Sequence, residues 1–185
     1  MKRKSVRSRD HLVWIDCEMT GLDPRKDVLL EIAVLITDNE LNIIAEGPVL
    51  AIRQPESKLR AMNAWCRRTH SRSGLLKRVR QEGVPLRQAE RQVLKFVRRY
   101  CYVRQSPLCG NSIWQDRRFL DKYMPQLDGF FHYQNIDVSS VKQLVNRWYP
   151  ENRHAPEKES VHLALDDIRE SVAELQFYKQ NIFIV

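Results

Sequence analysis

The sequence predicts an α/β domain built on a mixed central β-sheet flanked by helices. Two short segments rich in β-formers come early, at 11–17 (HLVWIDC) and 29–37 (LLEIAVLIT), and Asp38 and Asn39 make a turn into a third at 41–45 (LNIIA). From Pro55 onward the apolar spacing changes to three and four residues, with short strand candidates between helical stretches. Strands first and alternation afterwards give a sheet of mixed strand order.

Each element has its own signal. The run at 29–37 is almost continuously apolar, as a strand covered on both faces must be, and the turn after it makes the third strand antiparallel. From Pro85, Leu86, Ala89, Val93, Val97, Tyr100 and Cys101 recur at helical spacing with Arg and Gln between them, an amphipathic helix with Pro at its first turn. Leu108 and Cys109 lead into Gly110, Asn111 and Ser112 and then a helical pattern to Met124, which reads strand, turn, helix. Asn135 to Val138 is a short strand, and Ser139 or Ser140 is placed to cap a helix running to Trp148. Residues 150–156 form a loop. A last helix covers 162–180, with Leu163, Leu165, Ile168, Val172, Leu175 and Tyr178 for its buried side.

The 185 residues, 43% hydrophobic and 29% charged, suit one packed domain and exclude a collagenous or wholly disordered chain. The formal charge is +8, and half of it sits in residues 1–10, a basic N-terminal tail with almost nothing to bury, which leaves 11–185 as the single domain. A second basic stretch, Lys58 to Arg80, holds eight Lys and Arg and no acid, which suits either an anionic partner or a solvated face. The cysteines Cys17, Cys66, Cys101 and Cys109 lack zinc spacing and read as reduced, buried thiols of a cytoplasmic protein. No run is apolar and long enough for a membrane span, and the basic N-terminus lacks the apolar stretch of a signal peptide.

The chemistry lies in the carboxylates. Asp16 and Glu18 are two apart on the first strand, so they face the same way and repel unless a cation lies between them; solvated strand-end acids are the plain alternative. They stand at the carboxyl end of an apolar strand, where α/β sheets place ligands. Asp116 follows the Gly110 turn, as either a ligand or an acid serving a helix N-terminus. His162, Asp166 and Asp167 open the last helix, where helical spacing alone pairs His162 with Asp166. Hard oxygen donors without Cys select Mg²⁺ or Mn²⁺. Two such ions can activate water and stabilise the leaving oxygen of a phosphodiester. Walker A, G-x-G-x-x-G and G-x-S-x-G patterns are absent from the chain.

These residues and their flanks resemble the DEDDh 3′-to-5′ exonucleases and, among them, the oligoribonuclease branch. The segments that carry the likeness are WIDCEMTGLDP (14–24), AEGP (45–48), CGNSI (109–113), QDRRFL (115–120), KYMP (122–125), IDVSS (136–140) and ALDDIRES (164–171). The resemblance implies an RNase H-like fold and 3′-to-5′ hydrolysis of short oligoribonucleotides, especially dinucleotides, to 5′-mononucleotides. By it Asp16 bridges two Mg²⁺ or Mn²⁺ ions, Glu18 and Asp167 each hold one side, Asp116 binds partly through water and His162 is the general base. Asp167 then displaces the Asp166 that helical spacing favoured. The resemblance also gives Leu22 and Trp65 the bases, Ser112, Ser139 and Lys142 the 5′ phosphate, and Tyr133 a place in the neighbouring site of a homodimer. Gln134 stands where the family usually has Arg, which removes a charge and a bidentate fork from phosphate binding. Leu163 and Trp114 are further departures. The alternatives are a DEDDh exonuclease acting on longer RNA or DNA 3′ ends, and a non-catalytic nucleic-acid-binding module that relies on the 58–80 stretch.

Overall fold

The computed structural model describes residues 6–151, 155–156 and 164–184. Five strands form one sheet in the order β3-β2-β1-β4-β5: β1 Leu12–Met19, β2 Leu29–Thr37, β3 Ile43–Ala51, β4 Leu108–Gly110 and β5 Asn135–Asp137. β1 and β3 both run antiparallel to β2, whereas β4 is parallel to β1 and to β5, so the sheet is mixed as expected. Around it lie α1 Glu56–Arg60, α2 Ala64–Arg72, α3 Leu75–Gln81, α4 Leu86–Tyr100, α5 Ile113–Tyr123, α6 Pro125–Asp128, α7 Val138–Trp148 and α8 Ala164–Asn181.

The alternation of β1 divides the core. Val13, Ile15 and Cys17 face one side with Ala89, Val93 and Val97 of α4 and Phe119 and Leu120 of α5. Trp14 faces the other with Ala33, Leu35 and the α8 residues Ile168, Val172 and Tyr178. All nine residues of β2 are buried, which accounts for the unbroken apolar run read in the sequence. Trp14 meets its one polar need by donating Nε1–H to Thr37 Oγ1 at 3.0 Å. Gly110 lies where a Cβ would come within 3.0 Å of the Ile15 carbonyl oxygen, so glycine lets β4 close against β1.

Two expectations are corrected. The third strand covers 43–51 rather than 41–45, because Leu41 takes a left-handed φ of 68° inside the turn and Pro48 is tolerated on an edge strand. The helix after β5 is capped by Asp137, whose carboxylate accepts the N–H groups of Ser139 and Ser140, so neither serine is the cap. Ahead of β1, Ser8 bridges to Cys101, its N–H bonds the Tyr100 carbonyl, and the Arg7 guanidinium bonds the carbonyl of Arg98. In the 58–80 stretch Arg80 pairs with Glu56 and Arg78 with Glu31.

Glu31 is 1% exposed on β2, and Arg78 of α3 supplies its counter-charge. Removing one partner leaves a buried charge, so Arg78→Met lowers unfolding free energy by about 3 kcal/mol. Urea titration checks this, and the double variant Arg78→Met with Glu31→Gln recovers most of the loss.

Candidate active site

Asp16 and Glu18 project from β1 where the strand outruns its parallel neighbour. β4 pairs with β1 at Val13 and Trp14 only. At Cys17 the backbone N–H is taken instead by Asp116 Oδ1 at 2.9 Å, from the first turn of α5. Asp16 shares the Trp14 side of the strand, the side that α8 covers, and Asp167 lies in the first turn of that helix. Carboxylate oxygens of Asp16, Glu18 and Asp167 lie within 4.8 Å of one another, an arrangement able to hold a metal ion. Asp166 is turned away: Arg169 Nη1 donates to it at 2.8 Å, and the same guanidinium binds Glu46. Helical spacing was therefore the poorer guide, and the position that the resemblance implied is the one beside β1. His162 falls outside the described residues, as does Leu163.

Like charges in a half-buried place raise their own proton affinity. Glu18 is pushed up to about 8, first by burial, then by Asp16, Asp167 and Glu31, with Arg78 opposing. Asp116, 6% exposed, is held well above the usual carboxylate range by burial and by Asp16, against the N–H of Cys17. Burial and the same carboxylates push the Cys17 thiol up, so it is inert packing on the far face. A divalent cation is the group that relieves this repulsion, and an all-oxygen donor set suits a hard one.

The other predicted residues surround the acids unevenly. Leu22, 71% exposed, lies on an opening of about 600 Å³ also lined by Asn63 and Arg118. Its loop is wound around Asp27, whose carboxylate accepts from Thr20 Oγ1 and the Asp23 N–H; a Cβ at Gly21 would meet that carboxylate at 2.6 Å. Gln115 Nε2 then donates to the Leu22 carbonyl at 2.7 Å and fixes the loop to α5. Trp65 is 58% exposed on α2, beside Arg68 and Arg72, and Asn63 caps that helix through the Cys66 N–H.

Ser112 and Ser139 come together, with their hydroxyl oxygens 3.2 Å apart. Ser112 holds a left-handed φ of 49°, and its N–H is anchored by Asp137 Oδ1 at 3.1 Å and Ser139 Oγ at 3.0 Å. Lys142 Nζ lies 3.5 Å from Glu174 of α8. Tyr133 is 78% exposed with its ring against His132, and the Gln134 N–H bonds His132 Nδ1; both side chains lie on the connection from α6 to β5. Trp114 is exposed under the Arg118 guanidinium.

Sequence reasoning missed two contributors. His70 of α2 is 2% exposed: its Nε2 donates to the Met19 carbonyl at 2.9 Å, which turns Nδ1 toward Glu18 Oε2 at 3.8 Å. The signal was a histidine one helical turn from Cys66 on the buried face of a basic helix. Glu174 is 6% exposed and gathers Tyr178 Oη at 2.9 Å and Asn111 Nδ2 at 3.4 Å. Asn111 in turn bonds Ser171 and Ser139, so the serine pair and the helix that carries Asp167 share one hydrogen-bonded network.

The exonuclease family model matches residues 13–175, and the chain belongs to that family of phosphodiester hydrolases. Within it the chain groups with the oligoribonucleases. That of Marinobacter nauticus is 55% identical over 174 residues, 94% of this chain and 97% of its own, and that of Pseudomonas aeruginosa is 52% identical over 176 residues, 95% of this chain and 98% of its own. Among solved structures, exonuclease I of E. coli in its zinc-bound complex with single-stranded DNA superposes with a TM-score of 0.74 at 15% identity over 95% of this chain. The chain spans 41% of the length of that protein, and the likeness establishes the RNase H-like fold.

Proposed function

We propose that the protein is a 3′-to-5′ exoribonuclease that hydrolyses short oligoribonucleotides, dinucleotides above all, to 5′-mononucleotides. The convergence of Asp16, Glu18 and Asp167 from the two ends of the described fold carries the reading, and the oligoribonuclease relatives supply the substrate class. In this reading the three acids hold Mg²⁺ or Mn²⁺, two ions per site, and Asp116 completes the donor set partly through water. When bound, the ions supply charge stabilisation of the phosphodiester and a water made acidic enough to attack. His162 would serve as general base toward the attacking water. Leu22 separates the bases and Trp65 stacks on one of them. Ser112, Ser139 and Lys142 take the 5′ phosphate, with Gln134 offering a hydrogen bond without charge, and Tyr133 reaches the neighbouring site of a homodimer. Four buried thiols, all unpaired by disulfides, favour the cytoplasm.

Incubating the purified protein and Mg²⁺ or Mn²⁺ with an end-labelled RNA dinucleotide and, separately, a 20-mer tests the reading. Faster hydrolysis of the dinucleotide is the expected result. An uncut dinucleotide overturns it, and preferential trimming of the long strand moves the protein to the branch that acts on longer 3′ ends. Trp65→Ala raises KM for the dinucleotide about tenfold or more with a smaller change in kcat, because stacking on one base is worth about 1–3 kcal/mol.

A further inference from the structure

A concentration of charge outside the acidic site runs as a stripe along α4. Arg87, Arg91, Lys95, Arg98 and Arg99 are all exposed and recur at three and four residues, so they lie on one face at steps of about 6 Å. Like charges at this spacing weaken a helix by a few tenths of a kcal/mol per pair. Arg98 and Arg99 gain from the helix C-terminus, but Arg87 stands in the first turn, where the dipole opposes a cation. Glu90, the one acid of the helix, is 6% exposed and occupied in accepting the N–H groups of Gln126 and Leu127. Among the described residues no ion pair compensates the five cations.

The stripe continues into two adjoining hollows. One, about 550 Å³, is lined by Arg91, Lys95 and Arg98; the other, about 500 Å³, by Arg9, Arg98 and Tyr102; Arg7 reaches both. Tyr102 is 39% exposed with the Arg7 guanidinium 5.7 Å from its ring centroid, and Arg99 stands 5.8 Å from that of Tyr100. An exposed aromatic ring, that of Tyr102, among cations along a groove suits a single-stranded nucleic acid better than a bare phosphate surface. The Arg7–Tyr102 hollow lies at the amino end of β1, whereas the acids lie toward its carboxyl end, seven or more residues or about 23 Å along the strand, and the α4 stripe lies on the opposite face of the sheet from the one Asp16 shares with Trp14.

We propose that the α4 stripe and the Arg7–Tyr102 hollow form a second binding surface, one that holds single-stranded RNA longer than the substrate and takes no part in cleavage. The choice of RNA as the polyanion rests on the reading of the protein as an exoribonuclease; the geometry of the surface does not. Such a surface keeps the enzyme beside the longer strands from which short fragments are released.

The test uses the full chain in EDTA, with a 5′-fluorescein 20-nucleotide RNA followed by anisotropy at several salt concentrations, and dinucleotide hydrolysis in Mg²⁺ measured separately. Arg91→Glu with Lys95→Glu is expected to weaken 20-mer binding at least tenfold and to lower the salt slope by about two, with kcat/KM for the dinucleotide unchanged. The control Lys77→Glu with Arg147→Glu, of equal charge change elsewhere, stays within twofold for both. Tyr102→Ala weakens the 20-mer several-fold and leaves inorganic polyphosphate unaffected. The proposal is overturned by an equal loss in the control, by no loss in the α4 variant, or by phosphatidylglycerol vesicles binding as tightly as the RNA. Should the reversal misfold, Arg91→Gln with Lys95→Gln gives the same comparison at half the charge change. If the dinucleotide is uncut while the 20-mer binds through α4, the substrate reading fails and the surface stands.

Discussion

Asp16→Asn lowers the single-turnover rate on an RNA dinucleotide by at least about a thousand-fold and leaves the metal-free protein no less stable than the parent. The two halves of this result share one cause. Asp16 is among the three carboxylates whose oxygens lie within 4.8 Å, and its charge raises the proton affinity of both Glu18 and Asp116. Removing a ligand forfeits several kcal/mol of transition-state stabilisation, and each 1.4 kcal/mol is tenfold in rate. Removing the charge also relieves repulsion in the metal-free fold. Rapid-quench assays with saturating Mg²⁺ and thermal unfolding in EDTA measure the two quantities. Retained activity would sink the assignment of Asp16, and a large fall in stability would make the lost rate a folding defect.

Metal-free protein loses stability as pH rises from about 5 to 8. In the unfolded chain Glu18 ionises near 4.5, whereas in the fold its proton is retained up to about 8, so the folded state binds more protons in between. The stabilising contribution is complete below the unfolded value and is gone once pH passes the folded one. At 1.36 kcal/mol per pH unit the upper bound is about 5 kcal/mol, and Asp116 acts in the same direction. Urea titrations in EDTA at pH 5.5, 7 and 8.5 measure the slope. Subtracting the same series for Glu18→Gln isolates the carboxylate, and millimolar Mg²⁺ should restore most of the loss at pH 8.5 by binding the folded state alone. A difference that is flat with pH would show that the cluster does not strain the fold.

The parts legible in the sequence were those in which local pattern and long-range packing agree. β2 could be read to the residue because all nine of its side chains are buried, and α4 because its apolar positions keep one helical face. Asp16 and Glu18 were legible as a pair by strand alternation. What local pattern could not supply was direction at the start of α8: spacing preferred Asp166, yet the packing of α8 on Trp14 turns Asp167 toward β1 and leaves Asp166 to Arg169. β3 was misplaced because only the context of an edge shows that Gly47 and Pro48 can lie inside a strand. His70 and Glu174 were invisible because their roles are contacts across the fold, one 51 residues from Met19 and the other 63 from Asn111. The basic stripe of α4 was in plain view, but attention to its apolar positions hid it.

The acids that meet at the site come from the first and the last elements described, β1 and α8. A chain still emerging from the ribosome therefore carries Asp16 and Glu18 long before Asp167 exists, and the face of β1 and β2 that α8 covers stays open until then. Closing so large a loop is a late and entropically costly event in folding. The cutting centre is assembled last, so a copy that lacks α8 cuts no RNA, including the message on which it is being made.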